Sequence, residues 1–222
     1  MDFALRQHIE AYEHIIWDWN GTLLEDLDVV HATLSEQLER DGLPAISMEH
    51  YRETFRFPIA NFYESLGYEE LSPEDFHTKA QWFNKRYYER LQETRLYRGT
   101  EELLREIKGL GKMQSVLSLA EQSSLQTALK HFRVDVYFDH ICGIADIYGR
   151  SKVERGRELL QLCPEVPKGA TLLIGDTDHD LEVAEALGIE ALLVADGHQS
   201  FTRLGALHHR VLKTRFGEAT KA

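Results

Sequence analysis

Strand-forming segments come in two batches along this chain, and what lies between them constrains the fold more than any other feature. The first batch is a single run, His14-Ile15-Ile16-Trp17, which is β-branched and aromatic and closes on Asp18 and the turn Asn20-Gly21-Thr22. That pattern predicts a short buried strand ending at an acid. From about residue 27 to 95 the apolar period is helical, with no strand pattern. Strands then return at Met113 to Leu117, Phe138 to Ile144, Thr171 to Ile174 and Ala191 to Val194, alternating with helical segments. Such alternation specifies a parallel sheet with helices on both faces. The expected fold class is therefore α/β: a Rossmann-like parallel sheet core, residues 1–24 and 97–222, with an inserted all-helical domain over 25–96.

Local signals place the helices of the insertion. Leu27, Val30, Leu34 and Leu38 recur at three and four residues and stop at Asp41-Gly42. Ser47 opens a second helix through Phe55, broken at Phe57-Pro58, and a third runs from Ile59 to Leu66 before Gly67. Ser72-Pro73-Glu74-Asp75 opens the last, with a capping serine, proline at the first helical position and acids in the first turn. Residues 2–12 read as a polar helix that docks outside the core. In the second batch, Thr100 is expected to cap a helix ending at Gly109, and Val194 to close the last strand.

The polar groups that look chemical fall at strand ends. In an open α/β sheet the carboxyl ends of the strands gather at one edge, where ligands bind. Asp18, Ser118 and the pair Asp176/Asp180 all belong there. A carboxylate is costly to bury unpaired, and three acids in five residues beside Asp18 repel one another unless a cation sits among them. Two carboxylates and a carbonyl make a hard oxygen site suited to Mg²⁺. Blander readings stand beside this one: Asp178 or Asp180 capping a helix, Ser118 as a strand-end hydroxyl, Lys152 as a surface lysine.

Composition narrows the partners. With 25 basic and 37 acidic residues the formal charge is −12, and no Lys/Arg block occurs, which argues against nucleic acid and anionic membranes as partners. No apolar run reaches spanning length. Cys142 and Cys163 lack metal-ligand spacing and read as reduced, structural thiols, so a cytoplasmic protein is expected. The eleven histidines are scattered and read as surface residues.

Taken together, Asp18-x-Asn20-Gly21-Thr22 after one strand, Ser118 after a second, Lys152, and Gly175-Asp176-Thr177-x-x-Asp180 after another resemble the haloacid dehalogenase superfamily. With helices inserted behind the first motif, the chain is similar to the phosphoglycolate phosphatase-like branch with a helical C1 cap. The resemblance spans about His14 to Leu204 and includes the tract Val194 to Ser200. It implies Asp18 as the nucleophile that takes a phosphoryl group. It implies Mg²⁺ held by the carboxylates of Asp18 and Asp176 and the Asn20 carbonyl, with Asp180 holding a metal-bound water or pairing with Lys152. Gly21, Thr22, Ser118, Leu119 and Lys152 would bind the phosphoryl oxygens, and Arg52 and Arg56 are candidates for substrate contacts from the cap. The implied activity is a Mg²⁺-dependent phosphatase acting on a small phosphorylated metabolite, as a monomer or homodimer.

One position departs from the family pattern. Family phosphatases usually carry aspartate two residues after the nucleophile, as the acid that protonates the leaving oxygen and then activates water. Here it is Asn20, which can hydrogen-bond but cannot give and recover a proton. Three explanations follow: a substrate whose leaving group needs no proton, as in acyl phosphates or phosphonatase-like C–P cleavage; recruitment of another residue such as His31 or a water; or a metabolite-binding protein with weak turnover. The tract after residue 150 also lacks the proline that often follows the family's lysine.

Overall fold

The computed structural model describes residues 4–68, 71–144 and 152–214, so the residues just before Lys152 lie outside it. In chain order, α1 (Ala4–Ile9) leads into β1 (His14–Trp17), then β2 (Leu24–Glu25). Four helices follow: α2 (Leu27–Arg40), α3 (Met48–Thr54), α4 (Ile59–Ser65) and α5 (Pro73–Glu89). Next come β3 (Arg95–Leu96), α6 (Thr100–Gly109), β4 (Met113–Glu121), α7 (Gln122–His131) and β5 (His140–Ile144). The described residues continue with α8 (Lys152–Leu162), β6 (Thr171–Gly175), α9 (Asp178–Leu187), β7 (Glu190–Val194), α10 (Phe201–Leu207) and β8 (Val211–Leu212).

Six strands form one sheet in the order β5-β4-β1-β6-β7-β8, every pairing parallel. The period-two alternation of the strands explains why both faces are covered. Ile15 and Trp17 of β1, Val116 of β4 and Leu172 and Ile174 of β6 pack with α1, α6 and α7. Their neighbours Ile16, Leu117 and Leu173 face the opposite way, against α8 and α9. β1 lies in the middle, with Trp17 level with Val116 on one side and Ile174 on the other. That register sets Asp18, Ser118 and Asp176 within a residue or two of one another at the carboxyl edge.

The helical segment has its own apolar centre, built from Leu34, Leu38, Tyr51, Phe62, Tyr63, Leu66 and Tyr68. Its two ends meet in the antiparallel pair β2 and β3, clamped by Arg95 on both carboxylate oxygens of Glu25 at 2.8 and 2.9 Å.

Four sequence expectations are corrected. The amino-terminal helix is no outlying arm, because Leu5, Ile9 and Tyr12 are buried in the main core. The helix after residue 98 is capped by Gly99 in a left-handed conformation, and Thr100 is already helical. β7 is not the last strand: α10 and β8 follow it, and two-residue strands such as β2, β3 and β8 are too short to show a period. Nor are all histidines at the surface, since His14 and His198 are buried.

Candidate active site

The site is built on two tight turns. After β1 the chain turns at Gly21, whose φ of +67° suits glycine, and a Cβ there would lie 2.2 Å from Asp176 Oδ2. Gly197, after β7, is equally constrained, with its virtual Cβ 2.3 Å from the same oxygen. Two bare backbones thus close around one carboxylate. Asp176 is fully buried and accepts from Thr22 Oγ1 at 3.1 Å and from the His198 backbone N–H at 2.6 Å.

Beside it, Lys152 opens α8 with its side chain 3% exposed, donating to Asp18 Oδ1 at 2.7 Å and to Asp180 Oδ1 at 2.6 Å. Asp180 is held independently: its Oδ2 accepts from the Thr177 N–H and hydroxyl at 3.1 and 2.8 Å, the capping box of α9. One cation thus serves two carboxylates, with a third close by. Burial works against the Lys152 charge, but Asp18 and Asp180 hold its pKa above the ordinary lysine value. Burial raises the Asp180 carboxyl and Lys152 more than reverses that, leaving it below the usual range. Asp18 fares worse: burial, with Asp180 and Asp176 alongside, pushes its pKa up despite the lysine contact.

That surplus of negative charge is the test of whether a divalent cation fits. Oxygens of Asp18, Asp176 and Asp180 lie within 4.8 Å of one another, and an added cation would relieve the repulsion that raises Asp18. Asp18 and Asp176 suit the role. Asp180, with both oxygens already committed to Lys152 and Thr177, is placed as the lysine's partner.

The remaining sequence candidates divide. Ser118 is buried at the same edge, its Oγ accepting from the Ala120 N–H at 3.1 Å, and Leu119 is half-buried next to it. Arg52 donates through Nε to the Gly197 carbonyl at 3.1 Å and through Nη2 to the Ala195 and Gln199 carbonyls. It ties α3 to the loop after β7. Arg56 is exposed and turns back to the Thr54 carbonyl at 3.2 Å. His31 bonds the Ile46 carbonyl within the helical segment at 2.9 Å.

Four site residues escaped the sequence reading. Asp26, fully buried ahead of α2, accepts from the Gly21 N–H at 2.9 Å, Asn20 Nδ2 at 2.7 Å and the Tyr87 hydroxyl at 2.9 Å. His198 Nε2 lies 3.3 Å from the same carboxylate, and its Nδ1 is 2.9 Å from the Tyr51 hydroxyl. Burial alone would lower the His198 pKa, but Asp26 reverses that and raises it to about 8. The same contact, against the cost of burial, keeps Asp26 low and ionised. His198 lies in the tract already tied to the site, and its Gly-His-Gln order was the available signal. Tyr51 and Tyr87 are indistinguishable in sequence from core aromatics.

Comparison with known proteins agrees with this architecture. Residues 15–194 match the family model described as haloacid dehalogenase-like hydrolase. The chain belongs to that family. It is 21% identical over 192 residues to a phosphoglycolate phosphatase of Pseudomonas fluorescens, covering 83% of this chain and 70% of that protein. It is 24% identical over 191 residues to the tyrosine-protein kinase PtkA of Mycobacterium tuberculosis, covering 85% of this chain but only 64% of that one. Pyrophosphatase PpaX of Bacillus cereus is 22% identical over 190 residues, with 82% of each chain covered. Among solved structures, a haloacid dehalogenase-like family protein of Streptococcus pneumoniae superposes with a TM-score of 0.77 at 19% identity, covering 92% and 95% of the two chains. Such likeness shows the fold.

Proposed function

We propose that this protein is a Mg²⁺-dependent phosphatase that hydrolyses a small phosphorylated metabolite through a phosphoryl group carried on Asp18. The observation that supports it best is the meeting of Asp18, Asp176 and Lys152, from three separate segments, at one buried point. The names of the relatives span phosphoglycolate, pyrophosphate and protein tyrosine, and phosphoryl transfer is what these have in common.

In this reading the carboxylates of Asp18 and Asp176, with the Asn20 main-chain carbonyl, hold Mg²⁺. Mg²⁺ held there would supply charge neutralisation to the transferring phosphoryl group and favour the ionised form of Asp18. Asp18 supplies the attacking oxygen. Lys152, kept charged by Asp180, offsets negative charge as it spreads over the phosphoryl oxygens, where most of the catalysis of such transfers lies. The Ser118 hydroxyl and the Leu119 main chain orient those oxygens, while the Thr22 hydroxyl and the Gly21 N–H fix Asp176 and Asp26 beside them. The helical segment, residues 25–96, acts as a cap joined to the core at β2 and β3, and α3 closes it through Arg52. Residues 1–24 and 97–222 form the core domain. We further propose a cytoplasmic monomer or homodimer. Among the described residues no helix is long and apolar enough to cross a membrane.

The experiment is turnover of p-nitrophenyl phosphate, acetyl phosphate and a metabolite panel with Mg²⁺ and with EDTA, together with acid quench to find a phosphoryl adduct at Asp18. Mg²⁺-dependent turnover with the adduct supports the reading; neither, with any substrate, overturns it. Asn20 motivates a second reading, a metabolite-binding protein without turnover. It is favoured if ligands bind and none is hydrolysed.

A further inference from the structure

We propose that Asp26 locks Asn20 as a side chain able only to accept a hydrogen bond, and that this confines the site to phosphoryl donors whose leaving group departs without a proton: phosphoanhydrides and acyl phosphates. The inference rests on the phosphatase reading and narrows its substrate class.

The lock is visible in the geometry. Asn20 Nδ2 is 2.7 Å from Asp26 Oδ2 and 2.8 Å from the Tyr87 hydroxyl. A carboxylate can only accept, so the amide cannot be turned over without setting oxygen against oxygen. Only Oδ1 remains to meet a substrate or a water. Asp26 is in turn fixed from three directions: by the Gly21 N–H of the β1 turn, by Tyr87 from α5 and by His198 from the loop after β7. Rotation of Asn20 would break its bonds to both Asp26 and Tyr87.

Among the described residues, several other hydrogen-bearing groups near Asp18 are committed too. Lys152 is shared by Asp18 and Asp180, Thr22 donates to Asp176, and Tyr87 donates to Asp26. His198 has Asp26 on one ring nitrogen and Tyr51 on the other. Placing a second acid at position 20 would set two buried carboxylates about as close as the present 2.7 Å contact, which like charges resist.

The chemistry balances without a general acid. An Asp18 oxygen bonds to phosphorus while the bond to the leaving oxygen breaks, and that oxygen keeps the electron pair. A carboxylate or phosphate is stable as the anion so formed, whereas an alkoxide needs the help, ~10²–10⁴ in rate, that a positioned acid provides. Water then adds to phosphorus and the Asp18 oxygen leaves with its pair. Both hydrogens of the water end on the orthophosphate monoanion, so Asn20 Oδ1 need only orient the water.

The test is kcat/KM with Mg²⁺ for acetyl phosphate, pyrophosphate, a graded series of aryl phosphates and an alkyl phosphate. The expected result is a loss of about 100-fold or more from acetyl phosphate to the alkyl ester, the scale of a missing general acid. The exchange variant N20D/D26N, which keeps one acid and one amide, should shrink that gap at least ~10-fold by restoring the acid at position 20. Relative rates on acetyl phosphate and pyrophosphate distinguish the acyl from the anhydride source. Alkyl phosphates turned over by the unaltered protein within about 10-fold of acetyl phosphate would overturn the inference while leaving the phosphatase reading intact. An undiminished gap in a folded exchange variant would overturn the Asn20 lock. If that variant fails to fold, the series on the unaltered protein still decides. Silence on every probe would overturn both readings together.

Discussion

Two buried charge clusters flank Asp176, and they are built on opposite principles. On one side Asp18, Lys152 and Asp180 come entirely from the α/β core and leave a surplus of negative charge. On the other, Asp26 and His198 form a charge-matched pair bonded both to Tyr51 and Tyr87 of the helical segment and to Asn20 and Gly21 of the β1 turn. A buried carboxylate with four hydrogen-bond partners is structurally settled. One sharing a single lysine with a neighbour remains available for a metal and for chemistry. The contrast separates acids that hold the site from acids poised to react.

The largest expected effect breaks the reactive cluster at its nucleophile. Asp18→Asn should lower turnover by ~10³-fold or more and abolish the phosphoryl adduct, while thermal unfolding without metal should show no loss of stability, because burial already disfavours an ionised side chain at this position. A variant retaining turnover would remove Asp18 from its role.

Lys152→Met tests the same cluster from the other side. Two buried carboxylates would lose their cation, at a cost of about 3–5 kcal/mol in denaturant unfolding, and turnover should fall with it. Metal binding should act oppositely. At about 100 times its dissociation constant, Mg²⁺ should add roughly 2.7 kcal/mol, with EDTA reversing the gain in calorimetry. Asp18→Asn should weaken that response.

The two buried histidines sharpen the comparison through pH. His14 has its Nε2 2.8 Å from Ser115 Oγ, and burial lowers its pKa to about 4. Its folded-state value lies below the unfolded one, so the stability it confers is present above pH 6.5 and lost as pH falls toward 4, on the order of 3 kcal/mol. His198, raised to about 8 by Asp26, runs the other way: its contribution is present below pH 6.5 and lost as pH rises through 8. His14→Gln should flatten the acidic limb of a pH-stability curve and His198→Asn the alkaline limb. Unchanged limbs would contradict these assignments.

The smallest effect concerns the join between the regions. Arg52→Ala removes three contacts to carbonyls after β7 and should loosen α3 by about 1–3 kcal/mol. Hydrogen exchange in 48–54 should speed up while β1 and β6 stay protected.

Much of this was legible before any coordinates. The strand pattern, the strand-end positions of Asp18 and Asp176, and the helical run between the batches all rest on local periodicity and turn chemistry, which one stretch of sequence carries by itself. Ser118, expected just past a strand ending at Leu117, instead lies within β4, whose pairing shifts register after Leu117. Other features depended on distance. Nothing near Asp26 announces that its carboxylate meets His198, 172 positions later, or Tyr87 on α5. Arg52 and Arg56 look alike in sequence, yet one binds the core loop and the other returns to its own segment. The sequence by itself determined which residues stand at strand ends, because side-chain alternation and parallel pairing follow from short-range rules. Only the tertiary structure decided which carboxylate is matched by a cation and which is left under-compensated, because that depends on the cations the fold brings within a few ångströms.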